Sequence, residues 1–157
     1  MNDDEAIALA LAEAKAASAR GEVPVGAVLV HNGTMLASNG NRIVELKDPT
    51  AHAEILVIRQ AAAALRNERL NNAVLYVTLE PCAMCAGAIA MARIPRLVFA
   101  ADDPKGGAVL HGARFFDLST CHHKIEIART NAADAAVSAE LLRGFFRARR
   151  AKPSEPA

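Results

Sequence analysis

Residues 74–91 have the sequence Val-Leu-Tyr-Val-Thr-Leu-Glu-Pro-Cys-Ala-Met-Cys-Ala-Gly-Ala-Ile-Ala-Met, in which a predicted strand is followed closely by a predicted helix. The apolar run over 74–78 is typical of a strand that is covered on both faces. Pro81 suits the first turn of a helix, so a helix is predicted over 81–91. A strand covered on both faces followed by a helix favours a layered α/β domain.

The rest of the chain continues this alternation of helices and strands. The predicted elements are a helix over 3–20, a hairpin with strands over 25–30 and 35–37, a helix that Thr50 caps and that extends to 65, strands over 96–100 and 124–127, and a helix over 132–150 with Val137, Leu141 and Phe145 on one face. Asn32-Gly33 is a strong hairpin signal, because both turn positions require a positive φ. The chain is therefore predicted to be an α/β protein, a three-layer α/β/α sandwich around a mixed five-stranded sheet.

Length and composition exclude several classes of protein. The 157 residues suit a single domain, predicted over 1–150 and followed by a frayed tail over 151–157. No apolar run approaches the roughly 20 residues that span a bilayer. The N-terminus is acidic, unlike a secretory signal, and three cysteines do not form a disulfide framework. A cytoplasmic protein is expected.

Positive charge is concentrated near the end of the chain, although the net charge is only +1. The basic residues there are Arg143, Arg147, Arg149, Arg150 and Lys152. Such a cluster is suited to a nucleic acid partner. A solvated helix end produces the same pattern, so charge alone leaves both interpretations open.

Two short motifs carry candidate metal ligands. Cys82 and Cys85 are three residues apart at the predicted start of a helix, which places both sulfurs on one side and favours thiolates. His52 lies in the first turn of another helix, and both helix N-termini are expected at the same edge of the sheet. One imidazole and two thiolates suit Zn²⁺ and leave its fourth position for water, as in a catalytic site. Alone, Cys-x-x-Cys also fits a redox pair or half a zinc knuckle.

Glu54 is the candidate catalytic residue. It follows His52 by two residues and can border the same cavity, whereas a capping box that begins at Thr50 would require a carboxylate at position 53. A glutamate that faces the metal without binding it would carry a proton from water to a departing amine. His-x-Glu alone is a weak signal, but joined to Pro-Cys-x-x-Cys it becomes strong.

Together these residues form the His-x-Glu and Pro-Cys-x-x-Cys signature of the zinc nucleobase deaminases. Four blocks of the chain, 22–30, 48–54, 75–88 and 145–150, resemble the bacterial tRNA-specific adenosine deaminase family. The resemblance implies a cytidine-deaminase-like fold, one Zn²⁺ per subunit and a homodimer. It also implies the hydrolytic conversion of the wobble adenosine of a tRNA anticodon loop to inosine.

The resemblance assigns roles to individual residues. His52, Cys82 and Cys85 would bind the zinc ion, and Glu54 would move the proton. Asn41 would hydrogen-bond the target nucleotide, although an asparagine that satisfies its own loop gives the same signal. The loop that contains Asp103 and Lys105 would lie over the anticodon, where Asp103 is suited to accept a hydrogen bond from a ribose 2′-hydroxyl group.

The predicted C-terminal helix supplies the other candidate RNA contacts. Phe146 is expected to stack on a splayed base while Phe145 packs inward, and the alternative is that both belong to the core. Three arginines would hold phosphate groups: Arg147, Arg149 and Arg150.

Residues 110–123 depart from the usual family sequence. Cys121, His122 and His123 suggest a second metal site, but adjacent histidines in a strand point to opposite faces. We interpret Cys121 as a structural thiol and the histidines as surface or groove residues. Two other functions stay open: deamination of a free nucleobase or nucleoside such as guanine or cytosine, and a non-catalytic RNA-binding zinc module.

Overall fold

The computed structural model of the protein describes residues 1–152, so the predicted tail lies outside the described residues from 153 onward. The helices are α1 (Asp3–Ala19), α2 (Ile43–Leu46), α3 (Ala53–Leu65), α4 (Ala83–Met91) and α5 (Ala132–Ala151), and a 3₁₀ turn covers Phe115–Asp117. The strands are β1 (Gly26–His31), β2 (Thr34–Gly40), β3 (Ala73–Leu79), β4 (Arg96–Ala101) and β5 (Glu126–Arg129). No helix within residues 1–152 has the length and apolar character that a membrane crossing requires.

The strands form one sheet in the order β2-β1-β3-β4-β5. β1 is antiparallel to β2 and β3, whereas β4 is parallel to β3 and β5. The predicted mixed five-stranded sheet is therefore confirmed.

Successive residues of the strands face opposite layers of helices. Leu75 and Val77 of β3 pack in the core that contains residues of α3 and α4. Tyr76 packs on the opposite face with residues of α1. Gly26 of β1 allows α1 to approach closely, because a Cβ atom there would lie 2.0 Å from the carbonyl oxygen of Ala10. The predicted three-layer α/β/α sandwich is confirmed.

Predictions for the chain reversals are partly confirmed. Asn32 and Gly33 have φ values of 50° and 79° and join β1 to β2, as predicted. The cap assigned to Thr50 is wrong, because α3 begins at Ala53 with His52 in the N-cap position. The hydroxyl group of Thr50 instead donates to Asp48 Oδ1 at 2.7 Å in the preceding turn.

The predicted face of α5 is partly wrong. Val137 is exposed, whereas the neighbouring Ser138 is fully buried and its hydroxyl group donates to the carbonyl oxygen of Thr78 at the end of β3. Leu141 and Leu142 are the partly buried residues that pack against the two core clusters. Ser138, which bonds the sheet backbone, thus lies on the buried side of α5, where the apolar pattern had placed Val137.

An ion pair ties the start of α1 to β3 and β4. Both carboxylate oxygens of Asp3 accept hydrogen bonds from the Arg96 guanidinium group at 2.8 Å, and Oδ1 also accepts one from the Tyr76 hydroxyl group at 2.7 Å. The bonds from Arg96 are the largest influence that lowers the pKa of Asp3 from 3.8 to about 2. The folded state therefore favours the ionised carboxylate of Asp3.

Asp3→Asn removes the charged partner of Arg96, so we expect it to lower the free energy of unfolding at neutral pH. The loss should be only about 1 kcal/mol, because water screens this half-exposed pair. The contribution of a carboxylate with a depressed pKa is complete above about pH 4 and is lost as the pH falls toward about 2. In urea unfolding, parent and variant should differ at neutral pH and converge near the acid end. Asp4→Asn, in the same turn of α1, is the control, and equal losses in both variants would contradict the prediction.

Candidate metal and catalytic site

The N-termini of α3 and α4 bring three candidate metal ligands together. His52 is the N-cap residue of α3, Cys82 is the N-cap residue of α4, and Cys85 lies in the first turn of α4. The helix prediction placed Pro81 within the first turn, but Pro81 precedes the cap. The nitrogen and sulfur ligand atoms of the three residues all lie within 4.8 Å of one another.

The spacing of these atoms fits a tetrahedral zinc ion. His52 Nδ1 lies 3.7 Å from Cys82 Sγ and 3.5 Å from Cys85 Sγ. Zinc bonds of about 2.3 Å to sulfur and about 2.0 Å to nitrogen, at tetrahedral angles, require a separation of about 3.5 Å. Within residues 1–152, no fourth His, Cys, Asp or Glu joins the cluster. The three residues can hold one metal ion and leave one coordination position open.

The pKa values of Cys82 and Cys85 favour the binding of a cation between them. Hydrogen bonds from Cys85, the largest influence, and from His52 lower the pKa of Cys82 to about 4, so its thiolate is favoured. The hydrogen bond to Cys82 and burial raise the pKa of Cys85, so the proton between the two sulfurs stays on Cys85. A metal ion would take the place of that proton, since thiolates are the form that binds metals.

Glu54 is buried beside this cluster. Its exposed fraction is only 4%, and burial raises the pKa of its carboxyl group above the usual value. A buried carboxyl group with a raised pKa binds a proton more readily than an exposed one, as a proton carrier requires. Glu54 lines the same cavity as His52 and Cys82, so it can serve as a proton carrier next to the metal position.

The catalytic cavity, as we call this space, has a volume of about 220 Å³. Ligand pockets for drug-sized molecules usually measure about 300–1,000 Å³. The catalytic cavity is therefore suited to one planar nucleobase rather than to a longer stretch of nucleotides. Its lining residues are Val23, Val25, Asn41, Ile43, His52, Glu54, Leu79, Glu80, Cys82, Asp103 and Gly106.

Asn41 supports α3 as well as the cavity wall. Its side-chain oxygen accepts a hydrogen bond of 2.8 Å from the backbone N–H of Ala53, the first residue of α3. Asn41 is buried, and its side-chain nitrogen has no hydrogen-bond partner within residues 1–152. A carboxamide fixed through its oxygen has its N–H groups available for a ring nitrogen or a hydroxyl group of a ligand.

The predicted RNA-binding residues of the 103–105 loop lie in two neighbouring places. Asp103 lines the catalytic cavity, and its Oδ1 atom accepts hydrogen bonds from the backbone N–H groups of Lys105 and Gly106. Lys105 is exposed and lines a separate groove against α5. The role of Asp103 toward a 2′-hydroxyl group stays a prediction, and its Oδ2 atom is the acceptor that the loop leaves for it.

That groove, the basic groove, combines an apolar floor with cationic side chains. It is lined by Lys105, Leu142, Arg143, Phe146, Arg147 and Arg150. Phe146 is 40% exposed there, whereas Phe145 is more buried and packs edge-to-face against it at 5.4 Å. Arg149 is not part of the groove, since it lies over the Phe145 ring at 5.7 Å on another side of the helix. The four predicted contacts on α5 are therefore divided between two surfaces.

Glu80 is a site residue that the sequence prediction missed. Its buried carboxylate accepts backbone hydrogen bonds from Asp103, Val109, Leu110 and His111. Burial alone would raise the pKa of Glu80, but these bonds and one from the His111 ring outweigh it, so the pKa lies below its usual value. The only sequence signal was a charged residue at the end of an apolar strand.

Residues 121–123 form no metal cluster with other side chains of the described part of the chain. The ring nitrogen Nε2 of His123 lies 2.6 Å from the carbonyl oxygen of Ile94, whereas His122 is exposed. Cys121 Sγ lies 3.8 Å from the carbonyl oxygen of His123. The exposure of His122 agrees with its interpretation as a surface residue, whereas His123 is half-buried and bonds the backbone.

The sequence and the fold of this chain are similar to those of known deaminases. Residues 1–150 match the family model described as MafB19-like deaminase. The tRNA-specific adenosine deaminase of Agrobacterium fabrum is 58% identical over 142 residues, which cover 90% of this chain and 92% of that protein. The enzyme of the same name from Haemophilus influenzae is 46% identical over 149 residues, which cover 94% of this chain and 85% of that protein.

A solved structure gives the same result in three dimensions. It comes from a study of A-to-I editing by tRNA:A34 deaminases at the wobble position of transfer RNA, and it matches with a TM-score of 0.85 at 55% identity. The match covers 88% of this chain and 99% of that chain. Nearly the full length of the chain thus follows these relatives in sequence and in fold, and the chain belongs to the MafB19-like deaminases and, among them, to the tRNA-specific adenosine deaminases.

Proposed function

We propose that this protein is a zinc-dependent hydrolase that converts the wobble adenosine of a tRNA anticodon loop to inosine. The observation that carries the proposal is the buried Glu54 beside a cluster of three metal ligands in a cavity suited to one nucleobase. The names of the relatives in Agrobacterium and Haemophilus support the choice of adenosine in tRNA. A tRNA substrate also supports the expected cytoplasmic location.

One Zn²⁺ per subunit would be held by His52, Cys82 and Cys85. When bound, the ion would make a water molecule a strong nucleophile near neutral pH. The ligand separations of 3.5 and 3.7 Å support this assignment. The side chains of the protein then have two tasks, which are to place C6 of adenine and to move protons.

Glu54 performs the proton transfers in this proposal. Its carboxylate accepts a proton from the attacking water and returns it to N1 of adenine. A second proton from the same water then leaves with the exocyclic amine, so that adenosine and water give inosine and ammonia. Asn41 holds the nucleotide through its side-chain N–H groups, and the buried walls exclude bulk water.

The RNA around the target base would lie along the basic groove. Phe146 offers an exposed ring for stacking, and Lys105, Arg147 and Arg150 offer positive charge to phosphate groups. Arg147 is held in place by Glu140, whose Oε1 atom it contacts at 2.7 Å. Arg149 would contact the RNA from the other side of α5.

A homodimer is part of the proposal, as the resemblance implies. Several large apolar side chains on α2, on α4 and directly after the 3₁₀ turn are exposed in the single chain. They are Val44, Leu46, Met84, Met91 and Leu118. A second copy of the chain is the partner that we propose for these exposed side chains.

Sequencing of a tRNA pool after treatment with the protein tests the function. We expect A-to-I conversion at the wobble base and release of ammonia from an anticodon stem-loop. Ammonia from free guanine or cytosine, with none from the stem-loop, would support a nucleobase deaminase instead. Binding of the stem-loop without inosine would support a non-catalytic zinc module.

We expect Phe146→Ala to raise KM for the stem-loop about tenfold, because stacking of a base on an aromatic ring contributes about 1–3 kcal/mol. Steady-state kinetics with the stem-loop measures the effect, and kcat should change little. Val137→Ala is the matched control, since Val137 has the same exposed fraction of 40% and lies outside the basic groove. Similar KM values for the two variants would refute the stacking role.

A further inference from the structure

We propose that Glu80 and His111 are positioning residues that hold residues 103–111 as a substrate-binding wall of the catalytic cavity. The inference deepens the proposed function and rests on it. Within this segment, Asp103 and Gly106 line the catalytic cavity and Lys105 lines the basic groove. The conformation of the segment therefore determines how both binding surfaces meet the RNA.

The contacts of Glu80 are all directed to this one segment. Oε1 accepts a hydrogen bond from the backbone N–H of Asp103 at 3.0 Å, and Oε2 accepts bonds from Val109, Leu110 and His111 at 3.2, 3.0 and 3.1 Å. The ring nitrogen Nδ1 of His111 lies 2.7 Å from Oε1. A carboxylate only accepts, so the ring donates. Both ends of the segment are thus fixed on one side chain.

A carboxylate is needed here because the segment contains no helix or strand. Backbone N–H groups that are buried without a partner destabilise the fold, and regular structure does not satisfy those of residues 103 and 109–111. The side chain of Glu80 is fully buried and supplies these bonds. Its acceptor atoms hold the segment through bonds of the strength typical of charged groups.

Gly107 provides an independent sign of this packing. A Cβ atom at position 107 would lie 2.5 Å from the carboxyl carbon of Glu80 and 2.5 Å from the carbonyl oxygen of Asp103. No side chain fits at position 107 while the Glu80 carboxylate occupies its place. The segment is therefore wrapped closely around Glu80.

A change of His111 can test the positioning role without disturbing the metal site. Glu80 is two residues from the ligand Cys82, so a change of Glu80 can disturb the metal position as well. The ring of His111 is about one-third exposed, and it is absent from both the metal cluster and the lining of the catalytic cavity. A change of His111 removes one bond to Glu80 and leaves the backbone bonds in place.

The test compares His111→Ala, His111→Asn and Glu80→Gln in the full-length, metal-loaded protein. We expect KM for an anticodon stem-loop to rise about threefold in His111→Ala and at least about tenfold in Glu80→Gln, with kcat and metal content nearly unchanged in His111→Ala. Asparagine offers an N–H near the position of Nδ1, so His111→Asn should restore most of the KM. Asp117→Asn, an exposed carboxylate of the next turn that pairs with Arg114, is the control.

Hydrogen exchange gives a readout that does not depend on activity. The backbone amides of residues 103 and 109–111 should exchange faster in Glu80→Gln than in the parent protein. Unchanged KM in His111→Ala and Glu80→Gln overturns the proposal, and so does a fall in kcat alone. If the parent protein makes no inosine from the stem-loop, the proposed function fails, and the exchange rates still decide whether Glu80 holds the segment.

Discussion

Glu54→Gln is expected to lower kcat for the anticodon stem-loop by about 10²–10⁴-fold, the contribution typical of a positioned acid–base group. Glutamine keeps the shape and most of the packing of the buried side chain, but its amide cannot accept and return a proton. Because Glu54 is not part of the cluster of metal ligands, the metal content should stay that of the parent protein. Single-turnover rates and metal analysis on the same samples measure both quantities.

The result for Glu54 is informative because of its environment. Burial raises the pKa of this carboxyl group, which is the direction that proton transfer near neutral pH requires. A Glu54→Gln variant with a parental rate would show that another group moves the proton. Loss of the metal ion in that variant would show that Glu54 supports the ligands and would contradict the role as a proton carrier.

Cys85→Ala is expected to abolish metal binding and to reduce turnover by more than about 10³-fold. Cys85 is buried, and its sulfur lies 3.5 Å from His52 Nδ1, so the cluster retains only two ligands without it. Without the metal, the pKa of the attacking water returns from about 7 toward about 15.7. Metal analysis and kcat with the stem-loop measure the two losses.

The third cysteine provides the control for this variant. Cys121→Ala removes a thiol that is not part of the metal cluster and whose one hydrogen-bond contact within residues 1–152 is a backbone carbonyl group, so metal content and kcat should be retained. Chelation should also lower the Tm of the parent and of Cys121→Ala but not that of Cys85→Ala, because metal binding stabilises the folded state. An active Cys85→Ala protein without metal would refute the assignment of the ligands.

The fold was predictable where its signals are local. The Asn32-Gly33 turn follows from the backbone angles that these residues adopt, and the buried strand follows from the apolar run over 74–78. The approach of His52 to Cys82 was also predictable, since helix N-termini on one edge of a sheet lie close together. In each case a few adjacent residues and one general rule were sufficient.

The features that the sequence did not predict depend on contacts between residues that are distant in the sequence. The partners of Glu80 lie 23–31 residues further along the chain, and no spacing rule relates a glutamate to the backbone of a distant loop. The exposure of Val137 results from the hydrogen bond of the adjacent Ser138 to Thr78, 60 residues away. Arg147 and Arg149 are two positions apart on a helix, so they face different sides although both are basic.

The small volume of the catalytic cavity restricts which adenosines of an RNA can react, because the target base must enter it without its neighbours. An adenosine in a paired stem must first leave its partner and its neighbours, which costs a few kcal/mol. An unpaired adenosine requires much less free energy for the same movement. Extra Watson–Crick pairs that close the loop should therefore slow the reaction in proportion to how rarely the pairs open. RNA secondary structure would then control editing at sites of identical sequence.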